Sequence, residues 1–109
     1  MKLKITATLS PENGTEEYRL AELNFIETKE GARMSFAIPE STILLPDSSK
    51  LTITACYSPL NSGASILVFH NAKQLALMLS PWIGANPYLG IQIDGVGFLH
   101  FYCERSEGE

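Results

Sequence analysis

The sequence is short of the residues that most often carry chemistry. Only two histidines and two cysteines occur among 109 residues, with no CxxC, no HxxxH and no pair of histidines at helical spacing. A metal centre built on thiolate or imidazole ligands therefore has no spacing to start from. The acids are scattered, and only Asp47 and Asp94 are aspartates, both in turn-like stretches where Asp serves the backbone. Basic residues are also scarce: eight Lys plus Arg face twelve Asp plus Glu, for a net charge of −4. That sign is opposite to the electrostatic footprint of nucleic-acid binding, so no direct nucleic-acid contact is expected. Lys2, Lys4 and Arg33 are the candidates for a local basic patch.

Long apolar runs are missing as well. No stretch of about eighteen apolar residues is present, and the chain opens on a strand-like alternation, so neither a membrane span nor a secretory signal is expected. A cytoplasmic chain with reduced thiols at Cys56 and Cys103 follows, both read as buried in strands. Asp94-Gly95-Val96-Gly97 does not open a helix, so no phosphate cradle and no cofactor are expected.

What is present is alternation. Leu3, Ile5, Ala7 and Leu9 lie on one side of a first strand, with Lys2, Lys4, Thr6 and Thr8 on the other. Ser10 to Gly14 is a loop by composition. Residues 16–28 read as a strand rather than a helix, with a bulge near Ala21 because Tyr18 and Leu20 are out of phase with Leu23 and Phe25. Lys29-Glu30-Gly31 reads as a three-residue link into Met34, Phe36 and Ile38. Pro39 to Lys50 reads as a crossing segment with a short piece of structure at Ile43-Leu44-Leu45. Leu51 to Tyr57 alternates again, and Ser65 to His70, apolar on both faces, suits a central strand.

Two further elements complete the expectation. Asn71 and Gln74 fit a capping box, and Leu75, Met78, Leu79 and Trp82 recur at helical spacing, predicting a helix over about 71–83. Residues 88–93 and 96–103 predict a hairpin on a two-residue Asp94-Gly95 turn, with Ile93 opposite Val96, Ile91 opposite Phe98 and Leu89 opposite His100. Tyr88, Gly90, Gln92, Gly97, Leu99, Phe101 and Cys103 fall on the other face, where Gly90 and Gly97 admit a close approach or a bulge. The predicted fold class is α+β: a single domain over 1–105, with a mostly antiparallel sheet of about six strands, one principal helix, and a frayed acidic tail at 106–109.

The functional expectation is a non-enzymatic protein-binding module. Glu12, Glu16, Glu17, Glu22, Glu27 and Glu30 gather in the first half of the chain as the candidate protein-binding surface. Such a face could dock on the basic groove of a nucleic-acid-handling protein, as small acidic inhibitors of restriction or CRISPR machinery do. Two alternatives stand beside it. One is a structural homo-oligomer, pairing copies through an edge at Met1 to Leu9 or Leu51 to Tyr57. The other is a small enzyme in which His70 or His100 meets Cys56 or Cys103. Phe98, Phe101 and Tyr102 are read as core rather than as a base-stacking platform.

Overall fold

Alternating apolar residues require a second apolar layer, and in this chain the second layer is another sheet. The computed structural model describes residues 2–31, 33–58, 63–81 and 87–106. Among them run nine strands: β1 (Lys2–Pro11), β2 (Tyr18–Asn24), β3 (Ile26–Glu30), β4 (Arg33–Leu44), β5 (Lys50–Ser58), β6 (Gly63–His70), β7 (Lys73–Pro81), β8 (Tyr88–Ile93) and β9 (Gly97–Ser106). They form a four-stranded sheet in the order β2-β1-β9-β8 and a five-stranded sheet in the order β3-β4-β5-β6-β7. All ladders are antiparallel. Within each sheet consecutive strands pair as hairpins, the chain passes from one sheet to the other between β2 and β3 and between β7 and β8, and β9 returns to β1. β2 and β3 are one bent path: the Phe25 N–H between them donates to Leu3 O at 2.9 Å, and the chain then leaves β1 for β4.

The expected α+β class is corrected to all-β, and a single sheet of about six strands to two sheets. The helix predicted over 71–83 is not formed. Asn71 and Ala72 take φ of 50° and 70° and make a two-residue turn between the paired residues His70 and Lys73, as type I′ hairpins require. Lys73–Pro81 then runs back along β6 as β7, with Leu75 as an extra residue between Ala76 and Gln74. Residues 82–83 of the predicted helix lie outside the described residues. The cause is competition: helix propensity differs by less than about 1 kcal/mol between most residues, whereas β6, apolar on both faces, offers a complete ladder to whatever follows a tight turn.

Other expectations need smaller adjustments. β4 runs unbroken through Pro39, which sits at a register shift between Ile38 and Ser41, the one kind of site where an inner strand tolerates a missing N–H. Thr54 Oγ1 donates to Ile38 O there at 3.1 Å. The crossing segment at Pro39 to Lys50 is therefore strand followed by a short turn. Lys29 and Glu30 belong to β3, paired with Met34 and Arg33 rather than forming a link. Ser106 ends β9 instead of opening a frayed tail, and residues 107–109 lie outside the described residues. The bulge near Ala21 is present: Ala7 faces Ala21 and Thr8 faces Arg19, so Leu20 is the extra residue.

Leu3, Ile5, Ala7 and Leu9 of β1 meet Leu99, Phe101 and Cys103 of β9, and opposite them Phe36, Ile38, Leu51, Ile53, Ala55, Tyr57, Ile66 and Val68 line the five-stranded sheet. No polar side chain is buried in this layer among the described residues. β1 and β5 are both flanked on each side, so neither Lys2–Leu9 nor Leu51–Tyr57 is the free edge that the oligomer alternative requires. Among the described residues no helix is long and apolar enough to cross a membrane.

The last hairpin sets the faces of β9. Its link has three residues, not two: Ile93 pairs with Gly97, Val96 N–H donates to Ile93 O at 3.1 Å, and Gly95 takes φ of 82°. Ile91 therefore faces Leu99, and Gly90 faces His100. A slip of one residue turns every side chain of β9 over. Gly97, at φ of 141°, lies directly under Ser10 O and close to Pro11, so a Cβ would collide with the backbone of β1. Gly97→Ala is expected to lower stability in urea unfolding by about 1–3 kcal/mol, the usual cost of a strained backbone position. An unchanged midpoint would mean that β1 and β9 are not so closely apposed.

Candidate functional site

With β9 in this register, Phe98, His100, Tyr102 and Glu104 point out of the four-stranded sheet. Tyr88 and Gly90 join them from β8, Thr6, Thr8 and Ser10 from β1, and Glu17, Arg19 and Glu22 from the chain entering and forming β2. The rings make a cluster. His100 lies 4.8 Å from Phe98, 5.9 Å from Tyr88 and 6.0 Å from Tyr102 between centroids, and Tyr88 and Tyr102 are 5.2 Å apart. Gly90 makes room for it: a Cβ there would come within 2.7 Å of the Phe98 ring. The close approach expected at Gly90 is thus made by a neighbouring side chain. Tyr88 and Tyr102 remain 47% and 40% exposed.

Hydrogen bonds fix the cluster. Tyr88 Oη lies 2.6 Å from His100 Nδ1, and His100 Nε2 lies 3.3 Å from Ser10 Oγ and 3.4 Å from Glu17 Oε2. Ser10 Oγ donates to Glu17 Oε2 at 3.1 Å. One arrangement satisfies every proton: Tyr88 donates to Nδ1, Nε2–H donates toward Ser10 and Glu17, and Ser10 donates to the carboxylate. This is not a charge relay. A nucleophilic serine gives its proton to imidazole while the acid holds the other ring nitrogen; here serine and acid share Nε2, and the serine proton goes to the acid. His70 repeats the pattern at the β4–β5 turn. Its Nε2 lies 2.9 Å from Ser49 Oγ, whose own proton goes to Asp47 Oδ1. Hydrogen bonds from the Ser49 hydroxyl and N–H hold the Asp47 carboxyl below its ordinary range.

The cysteines meet neither histidine. Cys103 faces the core, and burial pushes its thiol up to about 12. Cys56, expected to be buried, is exposed on the outer face of the five-stranded sheet, 3.0 Å from Ser65 Oγ. Both are free thiols. No group of three or more His, Cys, Asp or Glu side chains suited to a metal occurs among the described residues.

The six glutamates do not form one surface. Glu12 closes the last hairpin: its Oε2 accepts from Gly95 N–H at 2.8 Å, and its own N–H donates to Val96 O at 3.1 Å. Glu16 is exposed in the loop before β2. Glu17 joins the ring cluster, while Glu22 accepts from both Lys4 at 3.2 Å and Arg19 at 3.4 Å and is thereby neutralised. Glu27 is exposed on β3 of the other sheet; Glu30 ends that strand, and its side chain is outside the described set. The residues that sequence reasoning missed, Tyr88, Phe98, His100 and Tyr102, carry one legible signal. Phe98, His100, Tyr102 and Glu104 alternate toward a charge, whereas Leu99, Phe101 and Cys103 alternate without one, so the first set suits the solvated face.

Thr8 lies beneath this cluster, and its Oγ1 is shielded from solvent without a hydrogen-bond partner among the described residues. Thr8→Val keeps the shape and removes that cost, so a gain of up to about 1–3 kcal/mol is expected in urea unfolding; a loss would mean that the hydroxyl is bonded. Thiol labelling should read one reactive cysteine per native chain and two in denaturant, since only Cys56 reaches solvent. Two in the native chain would contradict the core position of Cys103. No protein-family model matches this chain, and neither curated proteins nor solved structures give a match.

Proposed function

We propose that this chain is a non-enzymatic protein-binding module that recognises a basic protein surface through the outer face of its four-stranded sheet. The observation that carries this reading is the cluster of exposed Tyr88 and Tyr102 with half-buried Phe98 and His100, already ordered by ring packing and by the hydrogen bonds that link Tyr88 to His100, His100 to Ser10 and Ser10 to Glu17. Aromatic rings with few rotatable bonds are the usual anchors of protein interfaces, and prior ordering lowers the entropy lost on binding. The net charge of −4 favours a basic partner, of which the groove of a nucleic-acid-handling protein is one kind. Action in the cytoplasm suits the two free thiols.

The test is capture of a partner from source-cell extract by the tagged chain, at low and high salt, beside a Tyr102→Ala variant. One stoichiometric partner is expected, weakened by salt, with Tyr102→Ala costing at least about tenfold in affinity, as truncation of an interface anchor does. Capture that is indifferent to both Tyr102→Ala and Glu17→Lys would remove this face from the interaction.

A further inference from the structure

The charges around the ring cluster are unevenly satisfied. β1 and β2 place Lys2, Lys4 and Arg19 on this face, and Lys4 and Arg19 both turn to Glu22. Glu17 and Glu104 have no lysine or arginine partner among the described residues: Glu17 contacts Ser10 and His100, and Glu104 accepts only from Thr6 Oγ1, at 3.1 Å on Oε1. Glu104 follows Tyr102 by two residues on the same side of β9, and Tyr102 pairs across the ladder with Tyr88. Two exposed tyrosine rings thus share a side of the sheet with a carboxylate whose Oε2 has no hydrogen-bond partner among the described residues, and a second carboxylate, Glu17, sits beside His100.

Resting on the reading of this face as a protein-binding surface, we propose that its occupant is an arginine side chain of the partner. The guanidinium stacks on Tyr88 and Tyr102 and donates to Glu104 Oε2. A planar, weakly hydrated guanidinium can stack and donate in one pose, whereas a lysine ammonium is a hydrated point charge that gains less from a ring face. Phosphate-bearing ligands are repelled by the same two carboxylates. The site therefore selects arginine over lysine, and protein over nucleic acid.

The proposal is tested by titrating the ¹⁵N-labelled chain with capped hexa-arginine, capped hexa-lysine and a single-stranded oligonucleotide, following the amide shifts. Hexa-arginine is expected to shift Tyr88, His100, Tyr102 and Glu104 selectively and to bind about two- to fivefold tighter than hexa-lysine, the range of an exposed cation–π contact. Tyr102→Leu, which keeps an apolar side chain at this exposed position, should abolish that preference. Glu104→Gln should weaken both peptides by up to about fivefold, the range of an exposed ion pair. Equal binding of the two peptides, shifts spread over the whole acidic surface, or tighter binding of the oligonucleotide would overturn the arginine site. The outcome is separable from that of the parent reading. A captured partner that depends on Tyr102 but tolerates arginine-to-lysine exchange retains the face and removes the arginine. A partner indifferent to Tyr102 removes the face itself.

Discussion

The ladder between β1 and β9 is the constraint on which the rest depends. It joins the two most distant strands of the chain through ten consecutive pairs, from Lys2 with Ser106 to Pro11 with Gly97. It brings Leu3, Ile5, Ala7 and Leu9 into one layer with Leu99, Phe101 and Cys103, and sets Ser10 beside His100. Gly97 is needed because the backbone of β1 passes where a side chain would sit. The hairpin turn is tied to the same place by Glu12, whose carboxylate holds Gly95 N–H and whose amide holds Val96 O. Core and ring cluster are thus two faces of one register.

This coupling also explains how much was legible in the sequence. Strands with clean alternation, β1 and β5, can be read from period alone, because only one face of each can be buried. The bulge at Leu20 is readable for the same reason: a change of phase within one strand needs an extra residue. β7 is not readable in that way. Gln74 to Leu79 is a continuous run of good helix formers, and a short apolar run satisfies helical and strand templates together. What decides between them is the neighbouring strand, which sequence period does not reveal. The positive φ of Ala72, unusual for a residue with a Cβ, lies in the same blind spot.

The candidate site was lost through a smaller error with a larger effect. Assigning Val96 to the strand instead of the loop puts Phe98 and His100 on one face with Ile91 and Ile93, and Leu99 and Phe101 on the other. Phe98 and Tyr102 then count as core along with Phe101, although of the three only Phe101 is buried. The glutamates, clustered in sequence between Glu12 and Glu30, were separated by the bend at Phe25, which sends Glu27 to the second sheet while Glu17 and Glu22 stay on the first. Closeness in sequence placed charge on a stretch of chain; the bend decided which layer received it.

The ladder has a further consequence during synthesis. β4 to β7 can zip up hairpin by hairpin as they leave the ribosome, each beside the strand just made. β1 can pair early only with β2, and its second edge, with half of its N–H and C=O groups, waits for β9. At about 5–20 residues per second that interval is on the order of ten seconds. For that time β1 is an open template with an apolar face, so the nascent fold is exposed to wrong pairing there, where Lys2 and Lys4 place the charges that discourage it.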